Sequence, residues 1–117
     1  MSEPGEARLP AHLEVAGMIR RVQGAGGFAT VTAKGERDAG TIMVVTTCNG
    51  RDYRAWERMP QADGTRTWEC VRADENGYGE AFSAYIDRRK SQDSDLWIVE
   101  LDIADAAQFI GFAPSAG

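Results

Sequence analysis

The stretch TIMVVTTC (41–48), NG (49–50), RDYRAWERM (51–59) decides how this chain folds. Its two outer runs are rich in β-branched and aromatic residues, the composition of paired strands. Between them stands Asn49-Gly50, the dipeptide that best tolerates the positive φ required at both centres of a type I′ turn. The spacing therefore predicts an antiparallel hairpin. Pairing across a two-residue turn sets Met43 opposite Trp56, Val44 opposite Ala55, Val45 opposite Arg54 and Thr46 opposite Tyr53. Apolar groups then occupy both faces. Covering only one would leave Met43, Val45 and Trp56, or else Ile42, Val44 and Tyr53, in water, so helices are expected on both sides of the sheet in three layers.

Working outward, strands are expected at Phe28 to Lys34 and Thr67 to Arg72. Turn signals at Gly35 to Gly40 and Asp63-Gly64 separate them from the hairpin. The economical arrangement is a four-stranded antiparallel meander. Upstream, Leu9 to Ala25 reads as a helix with Ala11, Val15, Met18, Ile19 and Val22 on one side, Pro10 in its first turn and a stop at Gly26-Gly27. Downstream, a second helix runs from Glu80 to Ser91 with Phe82, Tyr85, Ile86 and Arg89 on one face. In the strand from Leu96 to Asp102, residues 96 to 99 are all apolar, which places it inside the sheet or firmly beneath a helix. A short helix follows from Ala104 to Ile110, with Asp102 as N-cap, Asp105 in the first turn and Gly111 beyond its end. The expected fold class is α+β or α/β. It is a single mixed, mainly antiparallel five-stranded sheet with helices on both faces, in the order α-β-β-β-β-α-β-α. The whole chain, 1–117, is expected to be one domain with frayed ends at about 1–7 and 113–117.

The totals agree with one globular domain: 117 residues, 43% hydrophobic and 26% charged, enough chain to bury roughly two-thirds of its unfolded surface. No apolar run approaches the roughly 18 residues that span a bilayer. Glu3 and Glu6 stand where a signal peptide needs basic residues, so the expected address is the cytoplasm. A net charge of -5 repels a phosphate backbone and disfavours nucleic acid as a partner.

Motifs for chemistry are sparse. Gly24-Ala25-Gly26-Gly27-Phe28-Ala29 spells a G-x-G-x-x-A pattern, but it closes a helix and enters a strand, the reverse of a dinucleotide fingerprint. It is a helix stop. His12 is the one histidine, near a helix start and without a paired nucleophile, so no catalytic residue is assigned. Cys48 and Cys70 fall on strands two spacings apart, about 9 to 10 Å, beyond the roughly 7 Å that a disulfide bridges. With one histidine and two separated cysteines, no metal is expected, and no cofactor motif is present.

Two surfaces stand out. Arg54, Trp56 and Arg58 alternate onto one face of their strand, where an aromatic ring between guanidinium groups can bind an anion or stack on a base. The plainer alternative is a structural ion pair between Arg58 and Glu69 beside a core tryptophan. Leu13, Gly17, Arg20 and Gly24 form a stripe on the first helix where missing side chains permit close approach, a candidate homodimer or protein interface; the plainer alternative is that these are tolerated surface glycines. Glu100, Asp102 and Asp105 gather acidic groups that read either as cation ligands or as helix caps.

Several segments taken together, RLPAHLEVAG (8–17), GGFATV (26–31), GTI (40–42), ERMPQADG (57–64) and DLWIVELD (95–102), resemble the domain-of-unknown-function family 1491, which is associated with alphaproteobacteria. The resemblance runs from about Arg8 to Gly111. It implies a stand-alone bacterial protein and carries no substrate, cofactor or catalytic residue with it. The residues favour a small non-catalytic binding or interaction module. The alternative is an enzyme acting on an anionic metabolite, with Arg54 and Arg58 recognising charge and Glu100 as base, which requires Arg54 and Glu100 on one face.

Overall fold

The computed structural model describes residues 9–110; the expectations for 1–7, Gly111 and 113–117 lie outside them. Helix α1 (Ala11–Gly24) leads into strands β1 (Phe28–Ala33), β2 (Ile42–Cys48), β3 (Arg51–Pro60) and β4 (Arg66–Asp74). Helix α2 (Glu80–Gln92), strand β5 (Trp97–Asp102) and a 3₁₀ turn (Ala106–Phe109) follow. The five strands form one mixed sheet in the order β1-β5-β2-β3-β4.

The expected meander holds for β2, β3 and β4 but not for β1. Strand β5 inserts between β1 and β2, antiparallel to the first and parallel to the second. The reason lies in side-chain composition. Strand β2 is buried along nearly its whole length, and so is β5 from Trp97 to Val99. Strands that must lose water on both faces take the centre. Strand β1, of which only Ala29 and Ala33 are half-buried, is displaced to the edge.

The β2–β3 register also differs from the expected one by a single residue. Asn49 (φ 54°) and Gly50 (φ 74°) make the tight turn, and Cys48 faces Arg51 across it. Asp52 then adopts a left-handed conformation at φ 56°, inserting one extra residue as a bulge. Beyond it Thr46 faces Arg54, Val45 faces Ala55 and Val44 faces Trp56. A one-residue slip exchanges the faces of every side chain. Trp56 therefore shares a face with Val44 instead of Met43.

Both faces are covered, as the hairpin's apolar alternation demanded. Helix α1 buries Ala11, Val15, Met18 and Val22 against Ile42, Val44, Trp97, Val99 and Leu101. On the opposite face α2 buries Phe82 and Ile86 against Met43, Val45, Ala55 and Ile98. The α1 stop is formed by paired backbone bonds: Gly26, at φ 91°, donates to Gln23 O at 3.1 Å, and Gly27 donates to Val22 O at 2.9 Å. This pairing is a Schellman motif. Gly27 also permits close packing, since a Cβ there would lie 2.7 Å from Ile103 Cβ and 2.9 Å from Asp102 O.

Candidate functional site

On the α1 face, at the turn end of the β2–β3 hairpin, the sheet extends beyond its helical cover. An open cleft of about 270 Å³ forms there. Its hairpin wall is built from Thr46, Cys48, Asp52, Arg54 and Trp56. The facing wall is the segment after β5, with Ile103, Asp105, Ala106 and Ala107.

The bulge at Asp52 shapes this wall. Because its backbone is left-handed, the side chain reaches Arg54, whose Nε donates to Asp52 Oδ1 at 3.0 Å. The hydrogen bond and charge of Asp52 raise the pKa of the Arg54 guanidinium, which stays cationic. Nη1 and Nη2 of Arg54 make no hydrogen bond to the described residues. Trp56 donates its indole N–H to Thr46 Oγ1 at 2.9 Å, so what it offers a ligand is apolar ring surface.

Arg58, two residues along, is engaged elsewhere. Its guanidinium forms a two-bond pair with Glu14 of α1, at 2.8 and 3.1 Å, and lies 4.9 Å from the centre of the Trp68 ring. The expected partner, Glu69, instead stands opposite Glu57, while Trp68 is opposite Arg58. An ion pair beside a tryptophan is indeed present; the turn closed by the Gln61 N–H to Thr65 O bond puts Pro60 opposite Arg66 and hence Trp68 opposite Arg58, and the helix supplies the carboxylate.

The acidic trio divides between the faces. Glu100 lies opposite Val45 and so points to the α2 side, away from Arg54. The arrangement required for an Arg54–Glu100 enzyme site is therefore absent. Burial, and then the charge of Asp102, push the Glu100 carboxyl above its ordinary value. Asp102 does not cap the last turn; its Oδ1 accepts the Asn49 backbone N–H at 2.9 Å and fastens the hairpin tip to β5. Asp105, in the N-cap position with φ 55°, makes no side-chain cap either. Among the described residues no three His, Cys, Asp or Glu side chains gather closely enough to hold a metal ion.

His12 is half-buried at the start of α1, with Nδ1 3.0 Å from Arg37 O. Cys48 and Cys70 are free thiols. The stripe on α1 faces solvent: Leu13 is 46% exposed, and a Cβ on Gly24 would meet nothing within 4 Å. Gly17 has Arg21 Nη1 3.6 Å away from such a Cβ, and Arg20 is exposed.

One buried constellation escaped the sequence. Glu57 on β3 accepts from Arg89 Nε at 2.9 Å, Arg89 Nη2 at 2.8 Å and the Tyr85 hydroxyl at 3.1 Å. The helical period puts Tyr85 and Arg89 on one face of α2 but names no partner for them. The only available signal was the alternation Tyr53, Ala55, Glu57, which puts a carboxylate on the face that α2 covers.

Fold and cleft together define a small three-layer α/β protein with an open polar cleft beside its central hairpin. The chain belongs to the DUF1491 family of proteins of unknown function, which it matches over residues 9–111. It is similar to a DUF1491 family protein from Caulobacter crescentus CB15 seen in a crystal structure. That match has 28% identity and a TM-score of 0.76, covering 94% of this chain and all of the other. A solution structure of a protein from A. tumefaciens is similar at 31% identity with a TM-score of 0.71, covering 92% of this chain and 99% of the other. No curated protein matches the chain.

Proposed function

We propose that this is a non-catalytic binding module of the bacterial cytoplasm that takes a small polar ligand in the cleft between the β2–β3 hairpin and the segment after β5. The supporting observation is the state of Arg54. Asp52 fixes its Nε, which leaves both terminal nitrogens to a ligand beside the apolar ring of Trp56, an arrangement suited to a planar polar group. The two free thiols fit a reducing compartment. Arg58, already paired with Glu14, stabilises the face next to the cleft.

The test is a titration of ¹⁵N-labelled protein with a panel of small carboxylic acids, amino acids, amines and sugars, followed by amide shifts. Shifts are expected at Thr46, Cys48, Ile103 and Ala106, and Arg54→Gln removes them. A panel that leaves those amides unmoved would falsify the cleft as a ligand site.

A second reading, a homodimer through the outer face of α1, is supported by the exposure of Leu9 (57%) and Leu13 (46%) beside the open Gly24. Light scattering after size exclusion tests it directly. A mass that stays monomeric at millimolar concentration, or a dimer that survives Leu13→Glu, rules this surface out.

A further inference from the structure

The composition of the cleft narrows what can occupy it, given the reading of the cleft as the ligand site. Three charged side chains line it: Asp52, Arg54 and Asp105. Asp52 Oδ1 is engaged by Arg54 Nε at 3.0 Å. The Asp105 carboxylate has no hydrogen bond or ion pair among the described residues. Among the charged residues that line the cleft, the unengaged atoms are thus the Nη1 and Nη2 donors of Arg54 on β3, Asp52 Oδ2 beside them, and the Asp105 carboxylate in the turn after β5. Trp56, Ile103, Ala106 and Ala107 supply apolar surface around them.

A simple carboxylate would gain Arg54 but meet the negative charges of Asp52 and Asp105. A simple amine would gain Asp105 and meet Arg54. Only a ligand carrying both charges satisfies both Arg54 and Asp105, and its remaining surface must be apolar to match the walls. The volume, about 270 Å³, sits just below the roughly 300 to 1,000 Å³ of ordinary ligand pockets, which limits the occupant to metabolite size. We infer that the cleft binds a small zwitterion of the α-amino-acid class with an apolar side chain, its carboxylate on the Arg54 terminal nitrogens and its ammonium on Asp105.

The experiment compares three matched probes on the full chain at low salt: L-leucine, 4-methylpentanoate, which lacks the amine, and isoamylamine, which lacks the carboxylate. L-leucine is expected to move the cleft amides and to bind at least about fivefold more tightly than either partial analogue, as two weak charge contacts outdo one. Arg54→Gln lowers its affinity about tenfold. Asp105→Asn, which tolerates the left-handed backbone, lowers it about threefold and strengthens 4-methylpentanoate by removing a like charge. Equal binding of L-leucine and 4-methylpentanoate, or indifference of L-leucine to Asp105→Asn, overturns the inference. If other panel compounds shift the cleft amides while apolar amino acids do not, this inference fails and the cleft stands; if nothing does, both fail.

Discussion

Replacing Glu57 by Gln tests how α2 is held to the sheet. Glu57 is 9% exposed and its partner's side chain only 20%, so neither group can recover its hydration when the other is changed. Two charge-assisted bonds from Arg89 and one from Tyr85 converge on the carboxylate. Glutamine preserves the shape and one acceptor but replaces the second oxygen with a donor facing a cation. One charged hydrogen bond lost, at roughly 1.5 to 3 kcal/mol, together with an incompletely paired Arg89, gives an expected destabilisation of about 2 to 3 kcal/mol. For a domain of this size that is a fall of about 8 to 12 °C in the melting midpoint by circular dichroism. In urea the midpoint should drop by about 1 to 2 M with an unchanged slope. The double replacement Glu57→Leu with Arg89→Met should recover most of the loss, because it removes both buried charges. A loss below about 0.5 kcal/mol for Glu57→Gln, the magnitude of an exposed pair, would refute the buried-pair reasoning.

Asp52→Gly keeps the left-handed bulge and releases Arg54, so stability should hold within about 0.5 kcal/mol. Asp52→Ala should cost about 1 kcal/mol through its positive φ; equal melting midpoints for the two variants would contradict the bulge as the cause. Gly27→Ala forces a Cβ against Asp102 O and Ile103 and should destabilise by about 1 to 3 kcal/mol, readable by thermal melting. Glu100 has a folded pKa raised above its ordinary 4.5 by burial and by Asp102, so the unfolded chain releases this proton first and ionisation costs stability as pH rises above that value. Glu100→Gln should therefore raise the melting midpoint at pH 7, with the gain vanishing below about pH 4; a pH-independent difference would contradict this.

Much of the architecture was legible because it depends on local periodicity. The alternation in β2 and β3 requires cover on both faces, and α1 and α2 supply it. The all-apolar run from Leu96 to Val99 points to an interior strand, which β5 is. The glycines after α1 read correctly as a stop, because positive φ at Gly26 is a property of one residue and its neighbours.

What escaped were relations between distant residues. Nothing in residues 28–48 says that β5 will come between β1 and β2; that follows from competition among all five strands for the buried centre. The bulge at Asp52 turns on one left-handed residue beside a turn that was itself correctly placed, yet it exchanges the faces of the strand. Arg58 and Glu57 were recognisable as polar groups on a half-buried strand, but their partners, Glu14 and Arg89, come from helices 44 and 32 residues away. The cleft has the same origin, since Arg54 and Asp105 line one cleft only because β5 returns to the middle of the sheet. The sequence by itself determined which segments are helix or strand and that the sheet is covered on both sides, since these depend on spacing within a few residues. Only the tertiary structure decided strand order, register, ion-pair partners and the cleft, because each depends on long-range packing that no local pattern encodes.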